Sequence, residues 1–209
     1  NGKKLLERPI DQFASDPSLE FPFCLCWANE NWTRRWDGLE QEILIAQKYD
    51  EQSDFAFIRD LEIYFRNKKY LRINGRPVLM IYRARLLHNP SETARRWRQY
   101  CLTNGIGEIY LMAVQTPGVE DPREIGFDAV VEFPPHGLPP IPKINETLLI
   151  ANKDFSGSVH DYRDAARCMM QKPVPEYPIY KAVFLSWDNT ARRQNNPLIF
   201  HNCTPKAYQ

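Results

Sequence analysis

The apolar and polar positions of the chain alternate between short apolar runs and longer amphipathic stretches. Strands alternating with helices are typical of a parallel sheet with crossover helices. A looser helical spacing covers residues 4–14. Apolar residues at three- and four-residue steps predict further helices at 53–67, about 89–103 and about 159–171. Five apolar runs have the length of buried strands, at 21–28, 77–82, 108–114, 127–132 and 179–185.

Residues suited to the ends of helices flank two of these stretches. Ser53 is the predicted cap of the helix over 53–67, and Asn89 or Ser91 is the predicted cap of the next one. The pair Asn104-Gly105 predicts the end of that second helix, because glycine adopts the left-handed conformation without strain.

Two architectures fit an alternation of strands and helices. A doubly wound nucleotide-binding sheet requires a glycine-rich turn after a strand, and neither G-x-G-x-x-G nor G-x-x-x-x-G-K-[ST] occurs in the chain. A barrel instead carries its chemistry at the carboxyl ends of several strands. Polar groups follow all five apolar runs, so the sequence predicts an α/β fold of the (β/α)8 TIM-barrel type, incomplete, with about five strands present.

The polar and aromatic residues that follow the predicted strands suit a sugar ligand. The carboxyl ends of parallel neighbours meet at one rim, so we expect these groups to surround one cleft. A pyranose stacks its C–H face on aromatic rings, and its hydroxyls pair with amides, guanidinium groups and carboxylates. Arg83 and Arg85 also follow the second strand. The predicted substrate-binding residues are Asn29, Asn31, Trp32, Arg34, Arg35, Trp36, Tyr82, His136, Trp187 and Arg192.

Two tryptophans after the first strand have two interpretations. Trp32 and Trp36 are four positions apart, with Arg34 and Arg35 between them. One helical turn or a compact loop would place both rings as a platform for a sugar. Alternatively, the rings cap the barrel and the arginines form surface ion pairs with neighbouring carboxylates such as Glu30.

Three carboxylates at strand ends are the candidate catalytic groups: Glu30, Glu132 and Asp188. Glycosyl transfer uses one carboxyl group to assist the leaving oxygen and a second as base or charge stabiliser. Each of the three is also a suitable structural hydrogen-bond acceptor. The sequence does not assign acid and base among them.

Charge and composition exclude some classes of binding partner. The chain has 27 Lys and Arg against 26 Asp and Glu, mixed along its length, which gives a net charge of +1. This balance argues against nucleic acid or an anionic membrane as partner. No apolar run reaches the roughly 18 residues of a membrane-spanning helix, so we predict no membrane span.

Histidines and cysteines show no pattern of a metal or disulfide site. The four histidines lack ligand spacing and no cofactor motif is present, so we predict neither a metal nor a cofactor. The five cysteines are irregularly spaced, and we predict that they are buried free thiols. Free thiols indicate a reducing compartment, and the predicted location is the cytoplasm.

Four sequence blocks resemble one family. Residues 23–38, FCLCWANENWTRRWDG, are similar to the WbsX-like proteins, a glycoside hydrolase family 99-like group of bacterial polysaccharide biosynthesis. Blocks 75–83, 127–136 and 187–193 agree in the same order, so the resemblance covers essentially the whole chain. It implies a barrel and a role in assembling or trimming lipopolysaccharide or O-antigen glycans, as hydrolase or transferase.

The resemblance also implies which part of the barrel is present. The related endo-α-mannosidases use no metal and carry two glutamates late in the barrel, in a motif resembling N-E-W-x-E-G, which this chain lacks. We therefore expect 1–209 to be a single domain, the central portion of a barrel whose flanking parts are missing at both ends. The binding rim carried over comprises the loop 29–36 with Tyr82, Glu132, His136, Asp188 and Arg192.

Two functional hypotheses follow from these features. The first is an enzyme that cleaves or forms glycosidic bonds of a bacterial surface polysaccharide, and the alternative is a non-catalytic carbohydrate-binding module. The expected partner is an oligosaccharide or polysaccharide. A nucleotide sugar is a second candidate, because Arg34, Arg35, Arg192 and Arg193 could hold a pyrophosphate although no phosphate-binding loop is present.

Overall fold

The computed structural model describes residues 5–34, 39–116 and 121–208 and divides the chain into two compact units. Unit 1 takes in its described residues up to Asn31, those in Ala46–Val131, and Tyr177–Tyr180. Unit 2 takes in its described residues in Trp32–Ile45, Glu132–Glu176 and from Lys181 onward. In chain order the elements are α1 (Arg8–Ser15), β1 (Leu25–Trp27), β2 (Trp32–Arg34), β3 (Leu39–Ile45), α2 (Glu51–Phe65), β4 (Arg72–Ile73), β5 (Arg76–Ile81), α3 (Pro90–Thr103), β6 (Tyr110–Val114), β7 (Ala129–Val131), β8 (Ser158–Asp161), α4 (Tyr162–Met170), β9 (Ile179–Tyr180), α5 (Thr190–Arg193), β10 (Leu198–His201) and α6 (Pro205–Tyr208).

Unit 1 is built on a mostly parallel sheet. Strands β1, β5, β6, β7 and β9 are neighbours in this order and all pair in parallel, while β4 pairs with β5 in antiparallel fashion. These five parallel strands are the five predicted from the apolar runs, so the predicted parallel α/β sheet is confirmed. Within the described part of the chain the sheet does not close into a barrel.

Side-chain alternation gives the sheet two apolar faces. On β5, Leu79 and Ile81 point toward the helices and are fully buried, whereas Val78 and Met80 belong to a smaller cluster on the other face. The larger cluster joins the sheet to α2 and α3 around Trp97, whose side chain is fully buried. The carboxyl ends of β1, β5 and β6 are thereby held by one continuous core.

The ends of the helices agree only in part with the sequence prediction. Helix α2 is capped by Asp50, whose carboxylate accepts a hydrogen bond from the Ser53 N–H at 2.7 Å, so Ser53 as cap is wrong. Asp50, three residues earlier, is the cap because its carboxylate accepts the hydrogen bond that the Ser53 N–H donates. Asn89 caps α3, accepting from the Glu92 N–H at 3.2 Å, and Gly105 follows the helix at φ +69°.

Unit 2 contains two small pairs of strands. Strands β2 and β3 are antiparallel, and β8 and β10 are parallel. The loop predicted over 29–36 therefore contains strand β2, and the tail contains β10 although it shows no periodicity. A cluster of Tyr162, Phe184 and Phe200 forms the core of this unit.

The fifth predicted strand, 179–185, ends earlier than its apolar run. Strand β9 stops at Tyr180. The N–H of Ala182 donates to the Glu132 carboxylate at 3.1 Å, so it is not available to a strand ladder. The exposed apolar residues Val183 and Leu185 therefore lie beyond the strand.

The five cysteines are free, as predicted, but they are not uniformly buried. Cys101 is buried, Cys24, Cys168 and Cys203 are half-buried, and Cys26 is exposed. Burial raises the pKa of the Cys101 thiol to about 12, so this thiol stays protonated. The prediction of a buried thiol is wrong for Cys26, because β1 is an edge strand of the sheet and leaves this side chain uncovered.

Candidate functional site

Asn29 follows β1 and joins it to the end of β5. Its side chain is fully buried. The Nδ2 group donates to the Arg83 carbonyl at 3.0 Å, and Oδ1 accepts from the Arg83 N–H at 2.7 Å. The amide thus takes both main-chain groups of Arg83, as a neighbouring strand would, and fixes the two strand ends together.

The next residue, Glu30, forms an ion pair with Arg83. The Arg83 Nη1 group lies 2.7 Å from Glu30 Oε1, and both side chains are about one-third exposed. This contact uses one carboxylate oxygen and one guanidinium nitrogen. Oε2 of Glu30 and the remaining N–H groups of Arg83 extend the same polar surface, with acceptor and donor atoms side by side.

Three further hydrogen bonds anchor this strand end. The hydroxyl of Tyr49 donates to the Asn29 carbonyl. The hydroxyl of Thr116, a buried residue after β6, donates to the Tyr82 carbonyl at 3.3 Å. Tyr82 itself donates its N–H to the Trp27 carbonyl at 3.0 Å. The Tyr82-Arg83 segment is therefore held from both neighbouring strands, and its side chains start from a fixed backbone.

Asn31 lies at the edge of this group. Its side chain is exposed, and Oδ1 accepts from the Gln47 N–H at 2.8 Å. Unit 1 thus brings together three predicted residues, Asn29, Glu30 and Tyr82, through direct contacts with strand-end backbone or with Arg83, whereas Asn31 contacts Gln47 instead.

Unit 2 holds Glu132 among basic groups. Its carboxylate is 2% exposed and lies 3.1 Å from Lys181 Nζ and 3.5 Å from Lys172 Nζ. The second oxygen accepts from the Ala182 N–H. These contacts compensate the burial of the charge and fix the segment after β9. A catalytic role for Glu132 stays a prediction.

Asp188 and its neighbours form a compact turn in unit 2. The exposed Asp188 carboxylate accepts from the N–H of Thr190 at 2.8 Å and from its hydroxyl. Trp187 packs in the apolar cluster of this unit, and Arg192 lies in α5. Among the described atoms, Trp187 Nε1 and Arg192 Nε are buried without an acceptor. These two donors are the open hydrogen-bonding positions of the turn.

The remaining predicted residues of unit 2 are more exposed. Trp32 is 44% exposed and lies in strand β2 rather than in a helical turn. Arg34 pairs with Glu42 at 3.3 Å. The His136 ring stacks on Phe133, with centroids 5.8 Å apart. Arg35 and Trp36 lie outside the described residues, so the two-tryptophan platform stays a prediction.

Tyr49, Thr116 and the lysines of Glu132 were not among the predicted site residues. Thr116 follows the third predicted strand, so its position was a usable signal. Tyr49 lies in a segment without periodicity directly before a helix cap, and nothing in the local sequence connects it to Asn29. Only the folded backbone brings the two residues together.

The described residues contain neither a cluster of metal ligands nor a membrane-spanning helix. No group of three or more His, Cys, Asp and Glu in the described residues is placed to hold a metal ion. Among those residues, no helix combines the length and the apolar character needed to cross a bilayer.

A parallel α/β sheet with amide and ionic groups at its carboxyl edge is an arrangement that ligand-binding and catalytic α/β proteins use. Residues 1–209 match the family model described as Glycosyltransferase WbsX, and the chain belongs to this family. This description names a glycosyltransferase, so the family is one of carbohydrate-active proteins.

The relatives are longer than this chain. Two curated proteins, both called uncharacterized protein WxcX, are 49% identical to it over 208 residues; they come from the B100 and ATCC 33913 strains of Xanthomonas campestris pv. campestris. The match covers all of this chain but 30% of each relative. A solved structure described as a glycoside hydrolase-like protein aligns over 77% of this chain and 46% of its own, at 18% identity and a TM-score of 0.47.

Proposed function

We propose that unit 1 binds sugar hydroxyls at the carboxyl ends of β1 and β5, as part of a protein that forms or cleaves glycosidic bonds of bacterial lipopolysaccharide or O-antigen. The observation that carries this proposal is the Glu30–Arg83 pair on a backbone fixed by Asn29. Adjacent hydroxyls of a sugar ring are both donors and acceptors. A carboxylate beside a guanidinium group offers the complementary set at a matching spacing.

The residues of the unit 1 site have different proposed roles. Glu30 is the carboxylate that we propose for ligand contact, and for proton transfer if the parent protein is an enzyme. Asn29 is buried and fully engaged with Arg83, so we propose that it positions the pair instead of touching the sugar. Tyr82 and Asn31 border the same strand ends and are proposed to complete the binding surface.

The sheet order supports a barrel as the parent architecture. Five parallel strands follow one another in space as they do along the chain. A doubly wound sheet reverses its strand order at the ligand site, and a barrel does not. We therefore keep the incomplete TIM-type barrel, with 1–209 as its central portion, as a proposal. The five free thiols support a reducing, cytoplasmic location.

A carbohydrate-binding module without catalysis is the second candidate. Glu132 and Asp188 have partner sets that suit structural carboxylates. Glu30 is paired as well, with Arg83, but about one-third of its side chain is exposed at the strand ends where we propose that the ligand binds. A binding role needs only this one pair, whereas most glycosidic bond chemistry needs a second carboxyl group.

Calorimetric titration tests the binding proposal. The probes are α-mannan oligosaccharides and fragments released from Xanthomonas campestris O-polysaccharide. Arg83→Gln should weaken binding about tenfold or more, because it removes a charge-assisted partner. Arg85→Gln is the matched control, since Arg85 pairs with the exposed Glu124 at 3.2 Å. Equal binding by both variants would contradict the assignment of Arg83.

Product analysis separates the enzyme from the module. The full-length WxcX relative and this chain would be incubated with the same α-mannan oligosaccharides and with nucleotide sugars as donors. Turnover by the relative alone supports an enzyme whose further catalytic groups lie outside 1–209. Turnover by this chain that disappears in Glu30→Gln would assign the catalysis to Glu30. Binding without turnover by either protein favours the module.

A further inference from the structure

We propose that Tyr49 is a positioning residue of the sugar site, which holds the peptide between Asn29 and Glu30 so that Glu30 stays paired with Arg83. The inference rests on the proposed function of the Glu30–Arg83 pair and adds a residue from a different part of the chain. Tyr49 lies between β3 and α2, about twenty positions from the peptide that it contacts.

The contact is made to the main chain. The Tyr49 hydroxyl donates to the carbonyl oxygen of Asn29, which belongs to the peptide that continues into Glu30. This peptide follows the last residue of β1 by two positions, beyond the strand's own ladder with β5. The hydroxyl therefore supplies the donor that fixes the carbonyl where the strand no longer does.

Asn29 is thus held at two points. Its main chain is held by Tyr49, and its side chain holds both main-chain groups of Arg83. Glu30 begins one bond beyond the first contact, and the Arg83 side chain begins at the second. The relative position of carboxylate and guanidinium thereby depends on both contacts, and loss of the first one frees Glu30.

The surroundings of Tyr49 keep its hydroxyl a donor and its ring in place. Burial raises the pKa of Tyr49, and the charges of Glu30 and Arg83 act on it in opposite directions. The phenol therefore stays protonated around neutral pH. Its ring lies 6.3 Å from the Trp27 ring at a tilt of 48°. This aromatic contact remains when the hydroxyl alone is removed.

Tyr49→Phe is the variant that tests the role, because it removes the donor and keeps the ring. Tyr100→Phe is the matched control, since it removes a hydroxyl that donates to the Glu62 carboxylate at 3.1 Å on the helices α2 and α3. Calorimetric melting of both variants checks that each is folded. Hydrogen exchange then reports the main-chain amide of Arg83, which donates to Asn29 Oδ1, in the absence of any ligand.

We expect exchange at the Arg83 amide to be about fivefold faster in Tyr49→Phe, the equivalent of one net hydrogen bond, and unchanged in Tyr100→Phe. Affinity for O-polysaccharide fragments should fall by a similar factor in Tyr49→Phe alone. Unchanged exchange at this amide would overturn the proposal. So would equal affinity of Tyr49→Phe and the unchanged chain, a result that leaves the proposed function standing. If the unchanged chain binds none of the sugar probes, the proposed function fails first and the positioning role with it.

Discussion

Replacement of Asn29 by alanine is the sharpest test of how the strand ends are held. The change removes two hydrogen bonds, at 3.0 and 2.7 Å, made by a fully buried side chain, and leaves the N–H and C=O of the partly buried Arg83 without this partner. One net hydrogen bond contributes about 1 kcal/mol, and a buried group left unpaired costs about 1–3 kcal/mol. We expect Asn29→Ala to lower the free energy of unfolding by about 2–4 kcal/mol.

Thermal unfolding measures this loss. For a chain of this size each kcal/mol corresponds to a shift of about 2–4 °C, so the melting temperature should fall by about 5–15 °C. Asn31→Ala is the matched control, because the same side chain two positions later is exposed and accepts one hydrogen bond, from Gln47. Its cost should stay within about 1 kcal/mol.

Hydrogen exchange locates the effect. In Asn29→Ala the Arg83 amide should exchange far faster than in the unchanged chain, whereas amides in the centre of β6 should follow the change in global stability alone. Two results would refute the reasoning. One is an equal loss of stability in Asn29→Ala and Asn31→Ala, and the other is an Arg83 amide that remains as protected as before.

Three further predictions concern the framework around the site. Asp54→Ala removes the carboxylate that lies 2.8 Å from the half-buried Arg96 guanidinium and leaves this group only the longer contact with Glu92, at 3.5 Å. The change should cost about 3–5 kcal/mol in urea unfolding, and a cost below 1 kcal/mol would contradict the pairing. Gly157→Ala places a Cβ on the main chain of Pro197 and should cost about 1–3 kcal/mol, with loss of protection in β8. The guanidinium two residues beyond Asp161 holds the pKa of that carboxyl well below its usual range. Because the pKa of Asp161 is lower in the folded chain than in the unfolded chain, the ionised carboxylate stabilises the fold at any pH above the unfolded pKa, which is near 4. This stabilisation is lost as the pH falls toward the folded pKa. The destabilisation that Asp161→Asn causes at pH 7 should therefore shrink steadily between about pH 5 and pH 2. If the urea midpoints of Asp161→Asn and the unchanged chain differed by the same amount at every pH, the prediction for Asp161 would be wrong.

The five parallel strands were predictable from the sequence because their burial leaves a direct mark on it. A strand covered on both faces is a continuous apolar run, and β5 and β6 show this at Val78–Ile81 and Tyr110–Val114. The order of the runs also indicates the order of parallel neighbours, since each crossover helix returns the chain to the adjacent position.

The small strands of unit 2 were not predictable in the same way. Strand β2 mixes Trp32, Thr33 and Arg34, and most of its side chains are partly exposed, so no periodic pattern marks it. Strand β10 pairs with β8 from about forty positions away along the chain. Such pairings depend on which segments meet after folding, and short partly exposed strands carry little local preference.

The candidate site was also predictable from the sequence only in part. Position after a strand was enough to select Asn29, Glu30 and Tyr82, and it included Arg83 among the strand-end groups. It could not distinguish the buried Asn29, which holds backbone, from the partly exposed Glu30, which faces outward. Burial of an individual side chain is a property of the packed neighbourhood and not of its own sequence context.

By itself the sequence determined the parallel α/β class and the edge at which polar groups collect, because apolar runs and helical periodicity are local consequences of burial. Tertiary structure alone decided which of these polar groups touch. Tyr49 reaches Asn29 across twenty positions, and Asn29 reaches Arg83 across fifty-four. A hydrogen bond requires donor and acceptor within about 3 Å, and that proximity exists only once the sheet and its helices are packed.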